Sequence, residues 1–307
     1  MLNQIEGIHH VTSLASSARA TDAFFTGPLG LRRVKKTVNF DAPDVYHLYY
    51  GDASGHPGTV MTYFPFPDAA RGTPGTGEVG TTVFAVPPGS LAAWRHRLAD
   101  AGVAGLDESD RFGARQLAFE GPDGDGFALV EAEDGRAPWS AEVPAEMAIR
   151  GFHAASLRLA DIGATEDLLR LMGYERVDAH GGIVRYALPE HNGAGIVDLE
   201  ARPDAAHARQ GAGSVHHIAF SVADRERQGE VREALLAEGW QVTPVIDRDY
   251  FWAIYFRTPG GVLFEVATAE PGFARDEDPD HLGEALKLPP QHAHLRDRLE
   301  RELEPIS

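Results

Sequence analysis

Two histidine pairs and one glutamate are the residues of this chain whose types and spacing could do metal chemistry. The pairs lie in Gly7-Ile-His9-His10-Val-Thr12 and Ser214-Val-His216-His217-Ile-Ala-Phe220. The glutamate ends Thr258-Pro-Gly-Gly-Val-Leu-Phe-Glu265, with Val266 after it. All three stretches read as strands, in which neighbouring side chains point to opposite faces. One histidine of each pair can therefore face an interior while the other, in a regular strand, faces away. Two imidazoles and one carboxylate are the ligand set that holds an open-sided Fe(II) or Mn(II). A glutamate inside an apolar strand needs a partner, because a buried unpaired carboxylate is costly. An arginine could satisfy it, but two His-His pairs at equivalent positions of a repeat favour a metal.

The elements that must position these residues repeat four times along the chain. Each unit is a strand, a helix and further strands. The first has strand Ile8–Leu14, a helix over Ser17–Thr26 with Phe24 and Phe25 facing inward, then strands Leu31–Thr37, Val45–Tyr50 and Thr59–Phe64. The second has strand Thr81–Val86, a helix capped by Ser90 with Leu91, Trp94 and Leu98 at helical spacing, and strands Gln116–Phe119 and Phe127–Glu131. The third has strand Gly151–Leu157, a helix over Ile162–Leu171, and strands Tyr174–Asp178, Ile183–Ala187 and Gly195–Glu200. The fourth has strand Val215–Val222, a helix over Arg225–Glu238 carrying Val231, Leu235 and Leu236, and strands Gln241–Val245, Trp252–Arg257 and Val262–Thr268.

The Pro- and charge-rich segment Asp134–Pro144 marks a boundary between an N-terminal domain (residues 1–140) and a C-terminal domain (148–272) carrying most of the ligands. A charged tail (273–307) follows, with a surface helix near Leu295–Leu303 and otherwise a solvated face. The fold class is α+β: four βαβββ modules paired into two cup-shaped, barrel-like mixed sheets.

Aligning the modules compares the corners of each cup. The first strands offer His10, Thr82, Ala154 and His217; the last strands offer Thr62, Ala128, Asp198 and Glu265. Only units one and four together supply a full set: His10, His217 and Glu265, with Thr62 at the fourth corner. Units two and three would form a second cup that serves as scaffold and takes no metal. His47 and Tyr49 alternate on one strand and either line a pocket or pack.

Composition narrows the function from another side. A net charge of −18 without a basic cluster argues against nucleic acid and anionic membrane surfaces as partners. No cysteine is present, which excludes thiolate metal sites, disulfides and a cysteine nucleophile. The N-terminus lacks a signal-peptide pattern, and no apolar run approaches the roughly 18 residues of a membrane span. The expectation is a cytoplasmic protein, with a homo-oligomer left open.

The chain resembles the vicinal oxygen chelate superfamily, which includes glyoxalase I, antibiotic-resistance proteins and type I extradiol dioxygenases. It is most similar to the branch of hydroquinone ring-cleaving dioxygenases. The resemblance spans nearly the whole chain. It is carried by Gly7–Thr12, Val45-Tyr-His-Leu-Tyr-Tyr50, Pro57-Gly-Thr-Val-Met-Thr62, Arg257–Glu265 and Gly272-Phe-Ala-Arg-Asp-Glu-Asp278. It implies iron bound by His10, His217 and Glu265, with His9, Thr12, His216, Arg248 and Tyr255 around them. It also implies a small aromatic diol and O2 as the reactants. Arg248 could hold a substrate oxygen or merely pair with Asp247 or Asp249. Three other readings compete: extradiol cleavage of a catechol, a glyoxalase I-like isomerase, and a non-catalytic binding protein. An isomerase needs a fourth protein ligand, for which Thr62 is poorly suited. A binding protein would have no need of all three ligands.

Overall fold

The computed structural model describes residues 2–306. Module one comprises β1 (Gly7–Ala15), α1 (Ala18–Thr26), β2 (Arg32–Asn39), β3 (Ala42–Gly51) and β4 (Val60–Pro65). Module two comprises β5 (Glu78–Val86), α2 (Leu91–Asp100), β6 (Asp107–Arg111), β7 (Ala114–Glu120) and β8 (Gly126–Glu131). Module three comprises β9 (Gly151–Leu159), α3 (Gly163–Leu171), β10 (Glu175–His180), β11 (Ile183–Ala187) and β12 (Ile196–Ala201). Module four comprises β13 (Val215–Val222), α4 (Arg225–Ala237), β14 (Ile246–Asp247), β15 (Phe251–Arg257) and β16 (Leu263–Pro271). A short helix α5 (Arg296–Glu302) lies near the C-terminal end.

The modules pair as the corner residues require. One eight-stranded sheet runs β14-β15-β16-β13-β1-β4-β3-β2, from modules four and one; the other runs β10-β11-β12-β9-β5-β8-β7-β6, from modules three and two. In both, the first strands of two modules pair antiparallel at the centre, β1 with β13 and β5 with β9. Each first strand also pairs parallel with the last strand of its own module. The sheets therefore mix both senses, and each takes one module from each half of the sequence.

Between the sheets lies one apolar core to which every module contributes. Phe25 of α1 is fully buried and stacks on Tyr50 at 5.0 Å. Burying such a ring stabilises the fold by roughly 2–3 kcal/mol. Backbone bonds at symmetric places join the sheets: Ile8 N–H donates to Ala194 O, and Phe152 N–H donates to Gly58 O, each at 2.8 Å. Gly7 and Gly151 stand just before these donors with φ of 129° and 133°. A Cβ at Gly7 would lie 2.3 Å from Asn192 Oδ1, so both the conformation and the close approach require glycine.

Several expectations need correction. Ser90 sits at the start of α2, but its hydroxyl donates to Pro87 O; the Leu91 amide is instead met by Glu131 Oε1 at 3.2 Å. Leu236 on α4 is exposed, while Val231 and Leu235 are buried. No strand forms over Gln241–Val245, where Pro244 has no N–H to give a ladder. Thr243 takes over that pairing, its Oγ1 accepting from Tyr255 N–H at 3.0 Å. Strand β6 escaped the sequence reading because its Asp107-Glu-Ser-Asp-Arg111 is almost wholly exposed and lacks an apolar face. In module two, Val83 pairs with Ala128 as Thr12 pairs with Thr62, which makes Thr81 rather than Thr82 the counterpart of His10.

The tail is also more than a solvated face. It returns across module one, where fully buried Lys35 binds Asp276 (2.6 Å) and Glu277, and Tyr250 donates to Asp276. Phe273 packs on Tyr49, and Leu282 and Leu299 are buried. Replacing Lys35 by Met leaves the buried Glu277 carboxylate without its cation. Lys35→Met should cost about 3 kcal/mol, read as a lower urea midpoint with the slope unchanged.

Asp125 ties the loop before β8 to β4 by accepting from the Tyr63 hydroxyl. Burial pushes its carboxyl up from 3.8 to about 6, against the Tyr63 bond, which lowers it. A carboxyl whose folded value is raised stabilises the fold below pH 3.8, and that contribution is lost as pH rises through about 6. Asp125→Asn keeps an acceptor for Tyr63 and removes the titration. The stability of wild type relative to this variant should fall by about 3 kcal/mol between pH 3.5 and pH 7, measured by urea unfolding at both.

Candidate metal centre

His10 on β1, His217 on β13 and Glu265 on β16 converge, as the corner alignment predicts. Their ligand atoms form the single such group among the described residues. His10 Nε2 lies 3.2 Å from His217 Nε2, and Glu265 Oε2 lies 3.4 and 2.9 Å from those two atoms. Three donors about 2.1 Å from one ion at right angles to one another would be about 3 Å apart. The observed spacings therefore match a cation among them.

The chemistry of the donor set fits as well. Glu265 is completely buried, and neither of its oxygens has a contact with hydrogen-bond geometry. Burial favours its neutral form, but the His10 and His217 imidazoles outweigh this and hold the carboxyl well below its ordinary range. Burial in turn pushes His217 down, against the pull of Glu265. A buried carboxylate with no hydrogen bond, set against two imidazole nitrogens at this spacing, is where a metal ion would supply the missing positive charge.

The first histidines of the pairs do not face away, and β-bulges are the reason. In the β1–β13 ladder Ile8 faces Phe220 and His10 faces Ala219, leaving His9 as the extra residue. Thr12 faces His217 and Ser13 faces Val215, leaving His216 as the extra residue. Each bulge breaks the alternation at the first histidine. As a result His9 Nδ1 lies 2.9 Å from His10 Nδ1, and His216 Nδ1 lies 2.7 Å from His217 Nδ1.

These contacts set the tautomers. His9 Nε2 faces the Thr268 carbonyl at 3.2 Å, which can only accept, so that nitrogen carries the proton. Burial, then the neighbouring His10, push His9 down to about 3, so its Nδ1 is bare and accepts from His10 Nδ1–H. His10 Nε2 is thereby left with its lone pair directed at the shared point. His216 is pushed down to about 4, by burial first and His217 next, and serves His217 in the same way.

A cavity of about 570 Å³ opens beside the group. Leu14, Phe64, Phe66, Ile246, Phe251 and Leu263 give it apolar walls, and its size is that of a small-molecule site. Arg248 and Tyr255 also line it, as does His216. Arg248 Nε donates to the Tyr255 hydroxyl at 3.2 Å, and its Nη1 pairs with Asp41 at 3.1 Å rather than with Asp247 or Asp249. Burial, followed by Glu265, pushes the Tyr255 phenol well above its usual value against the opposing Arg248 charge, so it keeps its proton. Thr12 is not on the cavity wall. Its Oγ1 lies 2.9 Å from Thr62 Oγ1, which also lies 2.8 Å from His47 Nε2, so the fourth corner is engaged elsewhere. His47 and Tyr49 both line the cavity.

Two curled mixed sheets of four modules, with a His-His-Glu group suited to a metal in one of them, define a protein of the vicinal oxygen chelate fold. The chain belongs to the Glyoxalase/Bleomycin resistance protein/Dioxygenase superfamily, whose sequence profile matches residues 126–266. It is 42% identical over its whole length to MhqO of Bacillus subtilis strain 168, named a ring-cleaving dioxygenase, covering 98% of that protein. It is 37% identical to the chlorohydroquinone/hydroquinone 1,2-dioxygenase of Sphingobium indicum, covering 97% of this chain and 96% of that one. The crystal structure of a Bacillus subtilis protein described as a dioxygenase superposes with a TM-score of 0.95 at 42% identity, over 99% of this chain and 98% of that one. Maize glyoxalase I shares the fold at a TM-score of 0.63 and 13% identity, over 86% and 92%.

Replacing His9 by Phe should leave the fold intact and strand the His10 Nδ1–H without an acceptor. His9→Phe is expected to weaken divalent-metal affinity by about 10–100-fold in chelator-competition titrations. An unchanged affinity would show that the bulge does not serve His10.

Proposed function

We propose that this protein opens the ring of a hydroquinone-type para-diol with O2 at a mononuclear Fe(II) held by His10, His217 and Glu265. Mn(II) is the alternative ion for the same donors. The observation that carries the reading is the buried Glu265 carboxylate, free of hydrogen bonds and met by two imidazole nitrogens at metal-ligand spacing. The ring-cleaving names of the relatives support the reaction class, and the Sphingobium enzyme's name supports a hydroquinone as substrate.

A bound Fe(II) would supply adjacent open positions for a phenolate oxygen and O2, and a path for electron density from ring to oxygen. The chain's own residues do the rest. The apolar walls take the faces of an aromatic ring and keep water away from it. Tyr255, protonated and anchored by Arg248, presents a hydrogen-bond donor to a substrate oxygen. Arg248 adds a positive charge that favours an anionic oxygen in the cavity. His216, on the cavity wall, orients His217 through its Nδ1 as His9 orients His10. His9 and Thr12 act behind the wall: His9 orients His10, and Thr12 holds Thr62 away from the metal group. Because Thr62 is tied to Thr12 and His47, a four-ligand isomerase site is disfavoured.

No described helix is long and apolar enough to cross a membrane. A cytoplasmic location and a homo-oligomeric assembly belong to the same proposal.

The test is anaerobic loading with Fe(II), then oxygen uptake with hydroquinone, chlorohydroquinone and catechol, for wild type and Glu265→Ala. Uptake should be greatest with a hydroquinone and drop to background in Glu265→Ala. One bound metal without oxygen consumption on any diol would sink the dioxygenase reading, and preference for catechol would sink its para-diol part.

A further inference from the structure

The module repeat places two tyrosines symmetrically about the metal group, and only one of them has a role so far. On β15, Tyr255 pairs across the ladder with Glu265 of β16. On β3, Tyr49 pairs in the same sense with Thr62 of β4. The register extends through the first strands: His10 and Thr12 correspond to His217 and Ala219, because Thr12 pairs with Thr62 as Ala219 pairs with Glu265. Tyr49 is therefore the counterpart of Tyr255 on the other side of the sheet, and both line the cavity. The second sheet repeats the register without the tyrosines. There Arg185 pairs with Asp198, and Ala118 with Ala128.

Tyr49 is held with care for a side chain that merely packs. Its hydroxyl lies 2.7 Å from His47 Nδ1. His47 Nε2 meets Thr62 Oγ1 at 2.8 Å, and Thr62 meets Thr12 at 2.9 Å. Phe273 of the returning tail backs the ring, with centroids 5.0 Å apart. A phenol can donate one hydrogen bond and accept others. Whichever way the chain of bonds to Thr12 runs, His47 uses one capacity of the Tyr49 oxygen and leaves another open. The residue is buried, and its hydroxyl has no second partner among the described residues.

We propose that Tyr49, oriented by His47, binds the second hydroxyl of the diol, the one that does not face the metal group. The inference rests on the para-diol reading above and adds the residue that selects para over ortho. On a para-diol the two oxygens lie at opposite ends of the ring, so one can sit at the His10-His217-Glu265 group while the other reaches the β3 side. A catechol carries its oxygens on neighbouring carbons and presents only carbon to Tyr49. Tyr49 is then a binding residue, and His47 is a positioning residue that fixes its hydroxyl.

The experiment is binding without turnover. Fe(II)-loaded protein is titrated in the absence of oxygen with hydroquinone, catechol and 4-methylphenol, for wild type, Tyr49→Phe and His47→Phe. Fe(II) affinity and melting temperature are measured for each protein. Tyr49→Phe should weaken hydroquinone about tenfold. It should leave catechol, 4-methylphenol and Fe(II) affinity unchanged. His47→Phe should shift hydroquinone in the same direction by less, and it carries the test if Tyr49→Phe does not fold. Equal losses for all three ligands, or none for hydroquinone, would overturn the assignment while leaving the dioxygenase reading intact. If wild type binds none of the ligands, the para-diol reading fails and this inference fails with it.

Discussion

A carboxylate stripped of water and given no hydrogen bond is the constraint around which this molecule is arranged. Glu265 sits in the central part of a sheet with both oxygens free. An ionised group there is expensive unless a positive charge meets it. The two imidazoles that meet it are each held from behind through Nδ1, by His9 and His216. The carboxylate, the two imidazole nitrogens and the apolar surroundings together fit a cation among them.

Bringing those donors together depends on the pairing of module one with module four. A His from β1, a His from β13 and a Glu from β16 come from opposite ends of the sequence, yet lie on three adjacent strands. Two bulges then place both first histidines behind the second ones. The pair of modules is symmetric in backbone and asymmetric in chemistry. One side of the cavity carries Glu265, Tyr255 and Arg248; the other carries Tyr49 and His47, with Thr62 behind them. That asymmetry opens coordination positions on one side and leaves space for an organic molecule.

The second cup has the same backbone and a different interior. Its corner Asp198 is buried and bound by Arg185 at 2.8 Å and Arg111 at 3.2 Å. Arg111 and Glu200 continue the network, so the charged side chains at that corner pair with one another. Its outer faces share the apolar core that backs the metal cup. The returning tail supports the first cup from the other side, through Lys35, Phe273 and Tyr250.

The sequence by itself determined the repeat, the helix positions and the three converging donors. Those features follow from local period and from module alignment, because strand alternation and helix spacing are written in apolar residues. The pairing of module one with four was legible because only those two carry histidines at the corner. What alternation could not reveal was the pair of bulges, since an extra residue in a ladder is set by the partner strand. For that reason the regular-strand rule turned His9 and His216 the wrong way. The Asp41 partner of Arg248, the clasp on Lys35 and the Thr62–His47–Tyr49 chain also waited for the tertiary structure. Each joins residues far apart in sequence or on different strands, and side-chain hydrogen bonds leave no periodic trace. Exposed β6 was missed for the opposite reason, having no apolar face to announce it, while the strand expected over Gln241–Val245 gave way to a single pairing at Thr243.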